Sequence, residues 1–220
     1  MNASPNFDDR DNNTPIDMLV LHYTGMQTAE AALDRLCDAA AKVSAHYVID
    51  EDGLVAPLVV EDKRAWHAGV SFWRGASDIN ARSIGIELVN PGHEFGYRAF
   101  PDAQMAALID LAGGILGRHS IPARNVVGHS DVAPARKSDP GELFDWAGLA
   151  AAGIGLWPDA GEDGDPAEVA AMLSDYGYDV TDEAAAITAF QRHFCPQALD
   201  GRADAATAGR LRALLSPCGT

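Results

Sequence analysis

The chain has 220 residues, of which 47% are hydrophobic, a length and composition that fit one medium domain plus a small one and exclude disorder throughout. Its 32 acidic residues against 16 basic ones give a net charge of −16. This excess of negative charge argues against a phosphate-binding surface for nucleic acids and against binding to an anionic membrane. No stretch has the length and apolarity of a transmembrane span.

The first ten residues contain neither a basic segment nor an apolar core, so they do not resemble a secretory signal and we expect a cytoplasmic protein. A periplasmic location is the alternative if the natural chain begins further upstream. The three cysteines, Cys37, Cys195 and Cys218, lack the spacing of a metal site and fit free thiols in a reducing compartment. Whether Cys195 and Cys218 ever pair stays open.

Short apolar strands alternate with helices over most of the chain, which is typical of a layered α/β fold. Strand patterns occur at residues 18–22, 45–50, 54–60 and 83–89. A turn at 50–53 joins the second and third strands as a hairpin. Helices are predicted at 29–41, with Thr28 as the N-cap, and at 101–119. Residues 61–82 are predicted as one long loop.

Residues 158–166 are acidic, rich in Gly and Pro and without periodicity, so they are predicted as a linker. Three short helical patterns follow, at residues 167–175, 181–194 and 204–215. Three helices are enough for a small bundle. The predicted fold is therefore α/β, with a mixed central sheet flanked by helices over residues 1–157 and a small all-α three-helix domain over residues 167–216.

Two histidines follow predicted strands. His22 ends the apolar run 18–21, and His129 follows the short apolar run 125–127. At such positions side chains emerge where loops gather at the strand ends. Asp139 lies ten residues beyond His129 in a loop that is long enough to fold back. Two imidazoles and one carboxylate suit Zn²⁺ and leave a fourth position for water. The alternative is two hydrogen-bonded boundary histidines, because ligands so far apart have no local spacing signature.

Five sequence blocks support the zinc interpretation, namely Leu21–Thr24, Ser44–Ile49, Arg64–Gly69, Ser83–Leu88 and Gly128–Gly141. With these blocks in this order, roughly residues 4–150 resemble the zinc-dependent N-acetylmuramoyl-L-alanine amidases of the AmpD/AmiD type. The resemblance implies that His22, His129 and Asp139 bind Zn²⁺. It also implies hydrolysis of the amide bond between N-acetylmuramic acid, in its 1,6-anhydro form, and the L-alanine of muropeptides.

Glu87 and Lys137 are the expected catalytic residues. Strand alternation places Glu87 on the face opposite to Ile84 and Ile86, and apolar neighbours favour a raised pKa suited to acid/base work. Lys137 stands two residues before Asp139, so both project to the same side of an extended stretch. The resemblance implies that its ammonium stabilises the oxyanion. The alternatives are an exposed strand glutamate and a solvated loop lysine.

Residues 64–82 are the expected substrate wall, since the resembling family uses this region for muropeptide contacts. Side chains there combine flat apolar faces with hydrogen-bond donors for carboxylates. The six candidates are Trp66, His67, Trp73, Arg74, Asn80 and Arg82. Each is also compatible with ordinary packing. His46 is expected to form structural hydrogen bonds. His93, His119 and His193 are expected at the surface or its boundary.

The C-terminal segments Phe190–Phe194 and Asp200–Thr207, with Leu211 and Leu214, resemble the three-helix peptidoglycan-binding module. A helical appendage that only packs on the first domain is the alternative. The expected partner is a muropeptide or peptidoglycan, without nucleic acid or a membrane anchor, and the oligomeric state is open. The preference between anhydro-muropeptide and intact peptidoglycan is open as well.

Two rival functions remain. A peptidoglycan-recognition protein binds muropeptides without cleaving them, but such proteins typically lose a zinc ligand and none is missing from this sequence. A zinc hydrolase acting on another amide has the same metal chemistry, so only substrate profiling separates it from the expected amidase.

Overall fold

The computed structural model describes residues 3–11, 13–159 and 162–216. Its strands are β1 (Phe7–Asp9), β2 (Met18–Tyr23), β3 (Tyr47–Ile49), β4 (Val55–Pro57), β5 (Lys63–Ala65), β6 (Ser83–Leu88) and β7 (Val126–Gly128). Five of them form one mixed sheet in the order β4-β3-β6-β2-β7, in which only β4 runs antiparallel to its neighbour. The remaining two, β1 and β5, form a separate antiparallel pair.

The helices are α1 (Ala29–Cys37), α2 (Ile79–Arg82), α3 (Gly92–Phe95), α4 (Asp102–Arg118), α5 (His129–Val132), α6 (Trp146–Ala151), α7 (Val169–Tyr176), α8 (Glu183–Phe194) and α9 (Ala205–Leu215). Short 3-10 turns occupy Ala123–Asn125, Pro166–Glu168 and Pro196–Ala198. The predicted fold class is confirmed, including the three C-terminal helices. The hairpin across residues 50–53 is also confirmed, as β3 and β4 pair antiparallel.

Two sequence predictions need correction. The N-cap at Thr28 is confirmed, since its side chain accepts a hydrogen bond from the Ala31 amide, but α1 ends at Cys37 because Asp38 adopts an extended backbone. The segment 61–82 is not a single loop: it contains β5 and α2. Short elements of three or four residues have no periodicity of their own to detect, which is why the sequence did not reveal them.

The central strand β2 is buried on both faces, as expected for a parallel strand with helices on either side. Leu19 and Leu21 pack in one core, which includes the buried face of α4. Met18 and Val20 lie on the opposite face and pack in a second core. Because side chains alternate along a strand, His22 shares the face of Met18 and Val20.

The second core includes the three C-terminal helices. Leu173 of α7, Phe190 of α8 and Leu211 of α9 belong to the same buried cluster as Met18 and Val20 of the sheet. The C-terminal helices therefore cover one face of the sheet rather than standing apart from it. This shared core stabilises the arrangement through burial of apolar surface, the main favourable contribution to folding.

The described part of the predicted acidic linker contacts α9. The Gly164 amide donates a hydrogen bond to the Ala205 carbonyl at 2.8 Å, and the Arg210 guanidinium lies 5.4 Å from the ring centroid of Trp157. Among the described residues, no helix is long and apolar enough to cross a membrane. Cys195 forms no disulfide with another described residue. Cys218 lies outside the described residues, so the question of their pairing lies outside them as well.

Candidate metal centre and active-site pocket

Three side chains converge at the carboxyl ends of β2 and β7. His22 Nδ1, His129 Nδ1 and Asp139 Oδ2 lie 2.9–3.0 Å from one another. All three residues are buried. Atoms at this spacing can bind one ion at the roughly 2.0–2.1 Å distances typical of Zn²⁺. The structure therefore brings together the three metal ligands proposed from the sequence, although two of them are more than a hundred residues apart.

Hydrogen bonds fix which nitrogen of His129 is free to bind a cation. Its Nε2 lies 3.0 Å from the Ala68 carbonyl oxygen. A carbonyl oxygen only accepts, so Nε2 carries the proton and donates it. In a neutral imidazole the other nitrogen then has a lone pair, and this nitrogen is the Nδ1 that faces His22 and Asp139. The His129 tautomer is thus set for metal binding.

A longer chain of hydrogen bonds fixes His22 in the same way. The Ser83 hydroxyl donates to the Ile79 carbonyl oxygen at 2.7 Å, so Ser83 Oγ accepts from Nε2 of His67 at 3.1 Å. Neutral His67 then accepts at Nδ1, which lies 3.0 Å from His22 Nε2. His22 donates through Nε2 and presents a lone pair at Nδ1. Partners of this kind fix the tautomer and ring orientation of metal-binding histidines.

The protonation states agree with this donor set. Burial and the neighbouring His129 lower the pKa of His22 to about 4, so its ring is neutral near pH 7. The site thus presents a neutral His22 imidazole beside His129 and the Asp139 carboxyl group, a donor set that fits Zn²⁺ and leaves room for further ligands.

Gly85 makes room for the ring behind His22. A Cβ atom at position 85 would lie only 2.4 Å from Cγ of His67, so no larger residue fits without moving that ring. Gly85 also donates its amide hydrogen to Nδ1 of His46 at 2.9 Å. His46 is fully buried, and the bond that it accepts from Gly85 holds it against β6. The structural role expected for His46 agrees with these contacts.

Glu87 lies beside His22, because the parallel register of β2 and β6 pairs the two residues. It lines the pocket that contains His129 and Asp139. Its Oε2 is buried and has no hydrogen-bond partner among the described residues. Burial, followed by the Asp139 carboxylate, raises the pKa of Glu87 well above its usual range, whereas Lys137 opposes this shift. A carboxyl group with a raised pKa suits general acid/base catalysis.

The pocket has a volume of about 360 Å³ and opens beside the metal residues. Its wall comes from segments 23–26, 43–44, 66–67 and 136–139, together with residues of α1. Lys137 is part of this wall, and its charge reaches both Glu87 and His22. The pocket therefore places a carboxyl group and an ammonium group beside the triad of His22, His129 and Asp139, which could hold a metal ion.

Only part of the predicted substrate wall lies in this pocket. Trp66 is half-buried and lines it. The Trp66 indole donates to Asp8 Oδ2 at 2.7 Å, which fixes the plane of the ring. His67 also lines the pocket, but both of its ring nitrogens are engaged by His22 and Ser83. The contacts of His67 are those of a residue that orients His22.

The structure places the other four candidates away from this pocket. Trp73 is 1% exposed and packs against Tyr176 and Tyr178, away from the pocket. Asn80 is buried, and its side-chain oxygen accepts hydrogen bonds from the amides of residues 67 and 68. Arg82 forms an ion pair with Asp17. The exposed Arg74 lies beside Gly177, and its amide donates to the Gly177 carbonyl. None of these four lines the pocket.

The polar residues of the pocket wall that sequence reasoning missed include Tyr23, Arg35, Arg136 and Ser138. Arg136 Nη2 donates to the Ala68 and Val70 carbonyl oxygens at 2.8 and 2.7 Å, and Ala68 is the residue that also accepts from His129. Tyr23 and Ser138 share a hydrogen bond of 3.0 Å across the pocket rim. Tyr23 and Ser138 are sequence neighbours of His22 and Asp139, and this proximity was the signal that could have identified them. No sequence signal pointed to Arg35, because its position in the predicted helix is that of an exposed residue.

Comparison with known proteins agrees with this geometry. Residues 12–142 match the family described as N-acetylmuramoyl-L-alanine amidase. The chain belongs to this family. The matched segment contains His22, His129 and Asp139 as well as Glu87 and Lys137, so the whole triad and both neighbouring charged groups lie within it. The protein is thus an N-acetylmuramoyl-L-alanine amidase, and the prediction of an enzyme of this class is confirmed.

Individual relatives cover nearly the whole chain. The N-acetylmuramoyl-L-alanine amidase AmiD of Escherichia coli (strain K12) is 40% identical to this chain in an alignment that is 234 residues long. The alignment covers 93% of this chain and 84% of that protein. The 1,6-anhydro-N-acetylmuramyl-L-alanine amidase AmpD of Citrobacter freundii is 36% identical over 161 residues, 66% of this chain and 84% of that protein. The longer match to AmiD extends into the C-terminal helices, because 93% of 220 residues cannot be reached without most of that region.

Solved structures give the same result. E. coli AmiD in complex with anhydro-N-acetylmuramic acid-L-Ala-D-γ-Glu-L-Lys has a TM-score of 0.84 and 39% identity, covering 94% of this chain and 92% of that chain. AmpDh3 from Pseudomonas aeruginosa has a TM-score of 0.83 and 34% identity, covering 97% of each chain. These two amidase structures therefore match this chain over both the sheet and the C-terminal helices described above.

Proposed function

We propose that this amidase depends on Zn²⁺ and cleaves the amide bond between N-acetylmuramic acid, in its 1,6-anhydro form, and the L-alanine of muropeptides. The observation on which the proposal depends is the convergence of two imidazoles and one carboxylate beside the buried Glu87 carboxyl group, whose Oε2 has no hydrogen-bond partner in the described part of the chain. Relatives support the substrate class, since AmiD was solved with an anhydro-muramoyl tripeptide and AmpDh3 with anhydromuramic pentapeptide.

The triad, Glu87 and Lys137 have separate roles in the proposed reaction. When held by His22, His129 and Asp139, Zn²⁺ supplies a Lewis acid that lowers the pKa of water towards about 7. Glu87 accepts a proton from the attacking water and donates it to the nitrogen of the departing alanine, for which its raised pKa is suited. Lys137 places a positive charge in the pocket wall, where it stabilises the oxyanion of the tetrahedral intermediate.

Product analysis by mass spectrometry tests the proposal. Zinc-loaded protein incubated with anhydro-muropeptide should release free stem peptide. Release should stop after treatment with a chelator, return when Zn²⁺ is added, and be absent from the Glu87→Ala variant. Release that persists without metal contradicts the zinc dependence. Muropeptide that binds but stays intact contradicts the amidase activity and favours a recognition protein.

We also propose that residues 167–216 form a peptidoglycan-binding domain that follows a catalytic domain of residues 1–157, with 158–166 as the connecting segment. Support comes from the C-terminal segments that resemble such modules. The test is co-sedimentation of the Glu87→Ala full chain with intact sacculi while soluble anhydro-muropeptide saturates the catalytic pocket. Protein that still pellets supports a second binding surface, and protein that stays in solution contradicts it. The cytoplasmic location stays a prediction.

A further inference from the structure

Asp131 lies where the C-terminal helices meet the metal centre. It is fully buried in α5, two residues after His129. Its Oδ1 accepts a hydrogen bond from the Tyr178 hydroxyl at 2.6 Å, and its Oδ2 lies 2.7 Å from His193 Nδ1. The Gly128 amide also donates to Oδ2 at 2.7 Å. Two of the three donors around this carboxylate thus come from residues 167–216, here called the C-terminal helical unit.

The same carboxylate holds the turn that presents the metal residues. The bond from the Gly128 amide closes the step from β7 into α5, and His129 is the first residue of that helix. The amide of the next residue, Ser130, donates to the Asp139 backbone carbonyl at 2.9 Å. One short turn therefore fixes the backbone of two metal residues. Displacement of Asp131 would move both, and metal sites respond strongly to the loss of such supporting contacts.

His193 contacts this turn by stacking as well. Its ring lies between those of Trp146 and Phe194, with centroid distances of 3.7 and 3.8 Å and interplanar angles of 19° and 4°. Trp146 in turn abuts Gly128, since a Cβ there would lie 3.3 Å from Cζ2 of the indole. His193 was expected near the surface, but it is 3% exposed, so this expectation is wrong.

The burial of His193 indicates a specific role for its Nδ1. Its Nε2 is buried and has no hydrogen-bond partner among the described residues, so Asp131 is the polar contact that the ring makes there. A buried polar atom without a partner is unfavourable, and an apolar side chain would fill the space between Trp146 and Phe194 without that cost. The contact with Asp131 is what distinguishes histidine from an apolar residue at this position.

We propose that Tyr178 and His193 are positioning residues of the metal centre, acting through Asp131 on the turn that holds His129 and Asp139. With this role, the C-terminal helical unit supports the catalytic site, in addition to its proposed function in binding peptidoglycan. Both residues lie beyond the family match, which ends at residue 142. The inference rests on the proposed zinc dependence.

The test compares zinc affinity among variants, measured by competition with a chromophoric chelator. Tyr178→Phe removes one oxygen atom and keeps the ring contacts with Trp73 and Phe190. His193→Ala removes the donor to Asp131. Each change should weaken zinc binding about tenfold, at the lower end of the range for residues outside the direct ligand set. His193→Asn should recover part of the loss, because its amide nitrogen replaces the Nδ1 donor.

Leu211→Ala is the matched control. Leu211 is fully buried in the same core but has no polar contact with Asp131. Its truncation should lower the melting temperature and leave zinc affinity unchanged. Unchanged affinity in Tyr178→Phe and His193→Ala, or an equal loss in Leu211→Ala, overturns the positioning role. If His193→Ala does not fold, Tyr178→Phe decides the question alone. Wild-type protein that binds no zinc overturns the proposed function itself, which is a different result.

Discussion

His67 lies directly behind His22, with His67 Nδ1 3.0 Å from His22 Nε2. This contact, supported by Ser83, determines which nitrogen of His22 faces His129 and Asp139. The position of the proton on His22 is therefore set by His67, which is not one of the three proposed metal ligands. Since His67 was expected to contact substrate, the structure gives it a more specific role than the sequence did.

Replacement of His67 should weaken the metal centre. In His67→Phe, His22 Nε2 loses its acceptor and the His22 tautomer is no longer fixed, so zinc affinity should fall about 10–100-fold. His67→Asn is the matched variant, because its amide oxygen replaces the acceptor and should restore part of the affinity. Competition with a chromophoric chelator measures both. Wild-type affinity in His67→Phe would contradict the role assigned to this contact.

Replacement of Glu87 should remove catalysis and leave metal binding intact. Glu87→Gln keeps the shape of the side chain but cannot accept and return a proton, so kcat for stem-peptide release should fall about 10²–10⁴-fold. Zinc affinity should be unchanged, because Glu87 is not part of the triad. Glu30→Gln, at an exposed site in the first turn of α1, is the control with the same chemical change. A Glu87→Gln variant with more than a tenth of wild-type kcat would exclude Glu87 as the acid/base.

The features that the sequence predicted well are local ones. The apolar run of β2 is continuous, as in a strand buried on both faces, and the opposite faces of Ile86 and Glu87 in β6 follow from the two-residue period of a strand. The positions of His22 and His129 at strand ends follow from the same patterns. Their meeting with Asp139 does not, because no local spacing joins them, and it was the resemblance to amidases that indicated it.

The predictions that failed depend on distant packing. Trp73 was expected to face substrate, but it is covered by Tyr176 and Tyr178, about a hundred residues later in the chain. His193 was expected at the surface or its boundary. It is buried because α8 packs against α5 and α6, and its ring stacks on Trp146. Residues that meet only through such packing have no sequence pattern that reveals the contact.

Two glycines should respond in opposite ways to substitution by alanine. In Gly85→Ala the new Cβ would lie 2.4 Å from His67 Cγ, so the ring must move. We expect a loss of about 1–3 kcal/mol in the free energy of unfolding, as in other overpacked cores, together with weaker zinc binding. Gly113 lies in α4, where a Cβ meets nothing within 4 Å, so Gly113→Ala should stabilise the protein by about 0.5–1 kcal/mol. Urea denaturation of the zinc-free protein measures both changes. A stabilised Gly85→Ala would contradict the close approach of His67.

Glu61 should make the stability of the protein depend on acidic pH. Its carboxylate accepts hydrogen bonds of 2.7 Å from Tyr47, Arg118 and His119. Burial opposes the charge, but these donors outweigh it and lower the pKa of Glu61 from 4.5 to about 2. A pKa that is lowered in the folded state contributes stability that is complete above the unfolded pKa and is lost as pH falls through the folded one. The free energy of unfolding of the zinc-free wild type should therefore fall more steeply than that of Glu61→Gln between about pH 5 and pH 2. Urea denaturation at several pH values gives both curves, and parallel curves would contradict the assigned pKa.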